Sequence, residues 1–191
     1  VENLDLKARR GLDRILAAKL VTCDWIGERL NLIATGPTGV GKSYLACALG
    51  HKACRVGCTV EYHRASRLFP ELHLAKGDGR YETVLRRLAK TDLLILDDFG
   101  LHPMNDDARR DCLEIIEDRC GKRSTLVTSQ MPLEHWHKSI GDPTLADAIL
   151  DRLVHNAYKV ELKGESMRKR TANRRTDRED CAEINEKTPV K

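Results

Sequence analysis

The chain has 191 residues, 41% of them hydrophobic and 32% charged, a balance that builds one domain of ordinary size and excludes both a disordered chain and a large multidomain machine. Its 33 Lys and Arg against 29 Asp and Glu leave a formal charge of +4, so affinity for polyanions has to come from where the bases cluster. No run of eighteen apolar residues is present and Val1 to Arg10 lacks the apolar stretch of a signal peptide, which predicts a soluble, cytoplasmic protein without membrane contact. A start at Val1 rather than Met predicts a further N-terminal domain before residue 1. The seven cysteines are odd in number and contain no Cys-x-x-Cys pair, so reduced structural thiols are expected in place of disulfides or zinc. His135 and His137 stand two apart, on different faces of a helix, and make a poor metal pair.

In chain order, Leu12, Ile15, Leu16 and Leu20 form an i, i+3, i+4, i+8 stripe that predicts a packed amphipathic helix within an N-terminal segment, 1–29. Short aliphatic runs at Leu30 to Thr35, Cys58 to His63, Leu93 to Asp97, Thr125 to Ser129 and Ala157 to Leu162 read as strands. They alternate with helical stretches at Lys42 to Arg55, Arg64 to Ala75, Arg80 to Lys90, Asp106 to Cys120 and Leu145 to Asn156, with a shorter segment at Pro132 to Lys138. This alternation predicts an α/β fold, one five-stranded parallel sheet flanked by helices over 30–163. From 164 to 191 the composition changes: Arg168, Lys169, Arg170, Arg174, Arg175 and Arg178 are six bases within eleven residues, a basic tail.

The first strand runs into Gly36-Pro37-Thr38-Gly39-Val40-Gly41-Lys42-Ser43, which fits G-x-x-x-x-G-K-[ST] at every fixed position, between a strand and a helix as a P-loop requires. The glycines let backbone N–H groups converge on phosphate oxygens, and the following helix points its positive end at the same place. Lys42 then bridges the β- and γ-phosphates, and Ser43 offers a hard oxygen to Mg²⁺. The nucleotide-contacting set is Gly36 to Ser43 with Tyr44. A second apolar strand ends in Asp97-Asp98, 55 residues after Lys42, the Walker B pattern. Asp97 is expected to hold Mg²⁺ with Ser43, and Asp98 to orient or deprotonate the attacking water. The polar end of the fourth strand brings Gln130 toward the phosphates, and Arg152 is a candidate arginine finger, in cis or across a subunit boundary.

These motifs resemble AAA+ ATPases, and more closely the IstB-like transposition-helper ATPases of bacterial insertion sequences, relatives of the DnaC helicase loader and the DnaA initiator. The resemblance spans about Leu12 to Arg170 and is carried by GPTGVGKSYLACALG (Gly36 to Gly50), LILDDFG (Leu94 to Gly100), STLVTSQMPLEHW (Ser124 to Trp136) and AILDRLVHNAYKVELKGESMRK (Ala148 to Lys169). It implies ATP and ADP with Mg²⁺ as ligands, Gln130 as sensor 1, Arg152 as a finger acting in trans, and Arg168 at the sensor 2 position. Where general AAA+ proteins have Asp-Glu, this chain has Asp97-Asp98, whose second acid is shorter by one methylene, which suggests slow hydrolysis. The small helical lid of AAA+ proteins is expected to be incomplete. The resemblance also implies an ATP-dependent homo-oligomer on duplex DNA, partnered by the transposase of the same element. Arg64, Arg67, Lys76 and Arg80 are the candidate phosphate contacts. The reading is an ATPase that assists target DNA capture in transposition. A DnaC-like replicative helicase loader is the alternative, and a P-loop small-molecule or nucleotide kinase is a further one.

Overall fold

The computed structural model describes residues 11–167; Arg168 and the rest of the basic tail lie outside the described residues. The elements are α1 (Arg14–Thr22), α2 (Asp24–Gly27), β1 (Asn31–Thr35), α3 (Lys42–Arg55), β2 (Val60–Arg64), α4 (Ala65–Gly77), α5 (Tyr81–Lys90), β3 (Leu93–Asp97), α6 (Asp106–Arg119), β4 (Ser124–Ser129), α7 (Trp136–Ile140), α8 (Pro143–Val154) and β5 (Ala157–Glu161). A single 3-10 turn, Leu133–His135, leads into α7. All five expected strands form, in one sheet of order β2-β3-β4-β1-β5. Every pairing is parallel. Helices cover both faces, as a buried parallel sheet requires. Each of the three central strands β1, β3 and β4 is almost entirely buried.

Two apolar layers result. One joins α4 to α8 and includes Leu68, Leu72, Leu94, Leu96, Ile116, Trp136 and Ile149. The other joins α1, α2 and α3 to the opposite face through Leu20, Trp25, Leu32, Leu45, Leu49 and Ile95. Gly50 lies inside α3 because a Cβ there would approach the Ile95 Cδ1 to 2.8 Å. The α1 stripe is only partly as expected: Leu20 is buried and Leu12 and Leu16 pack at the margin, while Ile15 is 73% exposed. Ala17 takes the buried position instead, because the helix begins at Arg14 and turns that face to the sheet. Cys23, at φ 67°, ends α1 in a left-handed turn, and α2 then seats the Trp25 indole, whose Nε1 donates to the Leu20 carbonyl at 3.1 Å.

The fully buried Arg119 ties three elements together at the amino edge of the sheet. Its guanidinium donates to the carbonyls of Leu88, Thr91 and Ser124, and Nε donates to the Thr125 hydroxyl at 3.1 Å. Burial pushes its pKa down to about 10. Among the described residues no helix is long and apolar enough to cross a membrane.

Candidate nucleotide site at the carboxyl edge of the sheet

Because all strands are parallel, the loops after β1, β3 and β4 open on one edge, the place where doubly wound sheets bind ligands. The P-loop leaves β1 at Thr35 and turns through Gly39 (φ 85°) and Gly41 (φ 100°) into α3. No side chain caps that helix, so its first N–H groups remain directed at the loop hollow. Val40 is fully buried and anchors the loop in the second apolar layer. The chain following β5 passes close over it: Leu162 N–H donates to the Thr35 carbonyl at 2.7 Å, and Met167 N–H to the Gly39 carbonyl at 2.9 Å. A Cβ on Gly36 would meet the Leu162 carbonyl oxygen at 2.1 Å, and one on Gly39 the Ser166 Oγ at 2.2 Å. Glycine at both positions is therefore a steric requirement.

Lys42 is 6% exposed. Its Nζ donates to the carbonyls of Gly36 (2.8 Å) and Pro37 (2.9 Å), which holds the ammonium at the mouth of the loop. Tyr44, one residue past Ser43, is half exposed. Ser43 Oγ donates to Asp97 Oδ1 at 2.9 Å, so the two residues expected to share a cation are in contact. The carboxylate of Asp97, 1% exposed, takes two further hydroxyls. Thr128 donates to Oδ1, and the Tyr62 phenol donates to Oδ2 at 2.5 Å. Burial and the Asp97 contact push the Tyr62 phenol up to about 12.

Asp98 adopts φ 56°, a left-handed conformation that Asp tolerates better than most residues. Its N–H donates to Thr128 Oγ1 at 3.1 Å. A single buried hydroxyl thus touches both acids. Gln130 closes the site: Thr38 Oγ1 donates to its Oε1 at 2.5 Å, and its Nε2 lies 3.4 Å from Asp98 Oδ1. P-loop, Walker B strand and β4 are joined through side chains. The donor set suits a nucleotide and a hard cation: hydroxyl and carboxylate oxygens for Mg²⁺, and a glycine-lined hollow with a lysine for phosphates. Ser43 and Asp97 would hold the cation.

Arg152 lies elsewhere. The Asn31 amide donates to its backbone carbonyl at 3.2 Å, which puts Arg152 beside the first residue of β1, whereas the P-loop follows the last. Four strand steps, roughly 13 Å, separate those ends. Its guanidinium donates to the Ala148 carbonyl (2.9 Å) and to Glu117 (3.1 Å). The structure thus holds the Arg152 guanidinium on Ala148 and Glu117 and not among the groups gathered around the P-loop.

The basic candidates separate as well. Arg64, the last residue of β2, and Arg67, in the first turn of α4, are both exposed. The Tyr62 phenol, two residues earlier on the same strand, pushes the Arg64 pKa up. Lys76 does not project freely: Nζ is 2.6 Å from the buried Asp111 and lies over the Tyr81 ring. Its expected phosphate role gives way to an internal ion pair joining α4 to α6. Arg80 forks onto Asp78 at 2.9 and 2.6 Å. Thr128 and Tyr62 were not foreseen from sequence; the available signal was a hydroxyl-bearing residue near the carboxyl end of each strand.

The model of the IstB-like ATP binding protein family matches residues 1–175. The chain belongs to this family. As an IstB-like chain it is 59% identical over 168 residues to an insertion sequence ATP-binding protein of Sinorhizobium fredii, covering 88% of this chain and 69% of that one. It is 37% identical over 168 residues to the insertion sequence IS21 ATP-binding protein of Pseudomonas aeruginosa, covering 88% and 63%. Among solved structures the IstB-like fold matches DnaI (TM-score 0.74, 22% identity, 85% of this chain and 90% of that one). It also matches the DnaC helicase loader (TM-score 0.65, 20% identity, 80% and 92%) and DnaA bound to AMPPCP and single-stranded DNA (TM-score 0.66, 18% identity, 83% and 48%). The fold is that of the AAA+ ATPases.

Proposed function

We propose that this IstB-like chain is an ATP-switched ATPase that assembles on duplex DNA and assists a transposase in capturing target DNA. The observation that carries the reading is the convergence of Lys42, Ser43, Asp97, Asp98 and Gln130 on one sheet edge, with exposed Arg64 and Arg67 beside it. Lys42 leaves its loop carbonyls for the β- and γ-phosphates. Ser43 and Asp97 would hold Mg²⁺, which when bound would supply charge neutralisation for cleavage of the terminal P–O bond. Asp98 orients a water in line with that phosphorus and accepts its proton, while Gln130 holds the other side of the same water. ADP and inorganic phosphate leave. With Asp98 one methylene shorter than glutamate, its reach to water is poorer and turnover slow, which suits a timer.

Arg152 faces away from its own site, so in this reading it serves a neighbour's γ-phosphate and makes hydrolysis depend on assembly. Arg64 and Arg67 neutralise DNA phosphates without reading bases, as a factor that accepts many targets requires. The insertion-sequence names of the relatives support transposition over helicase loading. Domain limits at about 30 and 163, nucleotide contacts from Tyr44 and Arg168, and cytoplasmic location belong to the same proposal. The test is sedimentation velocity with duplex DNA, with and without Mg–ATP. The parent forms a large nucleotide-dependent complex on DNA, and Lys42→Ala loses nucleotide and complex together. A full-size complex of Lys42→Ala without bound nucleotide would overturn the reading.

A further inference from the structure

Between α4 and the loop from β3 to α6 lies a groove of about 540 Å³ that reaches Asp98 of the nucleotide site. Phe69, Leu74, Leu101 and Met104 give it apolar walls, although Leu74 is 68% and Leu101 45% exposed. Its lining includes the carboxylates of Asp98 and Asp107 and no Lys or Arg; His73 lies 3.4 Å from Asp107. The loop is tied to β4, since Phe99 N–H donates to the Thr128 carbonyl at 2.8 Å and Ser129 Oγ to the Phe99 carbonyl at 2.7 Å. The complement stands on α1. Arg14, Ile15, Ala18, Lys19 and Thr22 are all exposed, and the last four, at i, i+3, i+4 and i+7, share one face. Ile15 is an apolar knob flanked by two bases, while Asp13 is turned to the Leu16 N–H of its own helix. The two patches occupy opposite faces and opposite ends of the sheet. Phe69 and Met104 belong to the first apolar layer, and α4 follows the edge strand β2. Helix α1 packs in the second layer, and Gly11 just before it lies against the end of the other edge strand, where a Cβ would come to 2.4 Å from the Glu161 carbonyl oxygen. Patches placed in this way do not meet within one chain; between copies they make a head-to-tail contact that continues from copy to copy.

We propose that this groove holds the α1 face of a second copy of the chain, with Ile15 entering between Leu74 and Leu101 and the bases Arg14 and Lys19 directed to Asp98 and Asp107. The inference rests on the nucleotide-dependent assembly proposed above and names the contact that builds it. Burial of the apolar knob supplies affinity, and the opposite charges fix its orientation. Asp98 serves the nucleotide site and the groove together, so nucleotide bound in the first shapes the second and makes the contact depend on it.

The experiment is sedimentation velocity of the full chain with Mg²⁺, a nonhydrolysable ATP analogue and a mixed-sequence duplex in excess over protein, so that copies without mutual contact spread over separate duplexes. Ile15→Asp spoils the α1 face and keeps the groove; Leu74→Asp spoils the groove and keeps the face. Both positions are exposed and outside the nucleotide site, so each variant binds the analogue as the parent does; Ile15→Ser and Leu74→Ser replace a variant that does not. The parent forms the large complex, and each variant alone needs at least about tenfold more protein to form it. Mixed one to one at the parent's working concentration, the two variants form complexes that stop at two chains, one of each, because only one intact face meets one intact groove. A variant that assembles like the parent, or a mixture that stays at single chains or grows to the parental size, overturns the head-to-tail contact and leaves the assembly reading standing. A parent that forms no large complex overturns both.

Discussion

Thr128 offers a sharp test of how the site is held together. Its side chain is fully buried, donates to Asp97 Oδ1 and accepts from the Asp98 N–H at 3.1 Å. Thr128→Val keeps the shape and removes only the oxygen. One hydrogen bond to a carboxylate, about 1.5–3 kcal/mol, is lost, and the partly buried Asp98 N–H loses its acceptor at about 1–3 kcal/mol. Taking about 3 kcal/mol as the combined cost, the melting midpoint falls by roughly 6–12 °C for a domain of this size. Because the hydroxyl sets both acids, the single-turnover rate of ATP hydrolysis falls about 10–100-fold, the range for outer partners of metal ligands. Thr128→Ser restores most of both. Scanning fluorimetry and a rapid-quench assay under saturating ATP read the two effects. A Thr128→Val protein that melts and hydrolyses like the parent would refute the assignment of this hydroxyl.

Asp98→Asn retains ATP and assembles but hydrolyses at least about 100-fold more slowly, the usual contribution of a general base; filter-bound phosphate release checks it, and parental rates would remove Asp98 from the reaction. Arg119→Ala strands the buried carbonyls of Leu88, Thr91 and Ser124 and destabilises the fold by at least about 3 kcal/mol in urea unfolding. Asp92 accepts from the Thr59 N–H (2.9 Å) and hydroxyl (2.7 Å), which holds its carboxyl below the usual range. A depressed acid contributes stability above its unfolded value and loses it as pH falls through the folded one. The melting difference between parent and Asp92→Asn is therefore largest near neutrality and shrinks below about pH 4.

The nucleotide site was legible because its signals are local. A P-loop needs its glycines and lysine at fixed offsets, and an aliphatic run ending in Asp97-Asp98 declares both a strand and its chemistry. The boundaries of α3 and β3 agree with the expectation residue for residue, since Gly41 and Asp98 are conformational breaks written in the sequence. Strand order was not legible, because a parallel aliphatic strand does not encode its neighbour. Tyr62 and Thr128 meet Asp97 across 35 and 31 residues of sequence, a distance over which no spacing rule operates. Lys76 read as a surface base until α6 supplied Asp111, and Ile15 read as core until α1 turned Ala17 inward.

The most direct test of an ATP-switched, phosphate-reading assembly is the salt dependence of duplex binding in a saturating nonhydrolysable ATP analogue, compared between the parent and Arg64→Ala/Arg67→Ala. Each neutralised phosphate adds about −0.9 to the slope of log K against log salt, and each subunit of an assembly adds its own contacts. The account predicts a steep slope for the parent that depends on the nucleotide and hardly on sequence, and a shallower one with weaker binding for the double variant, whose nucleotide affinity persists. A parental slope unaffected by nucleotide, or an unchanged slope in the double variant, would contradict it.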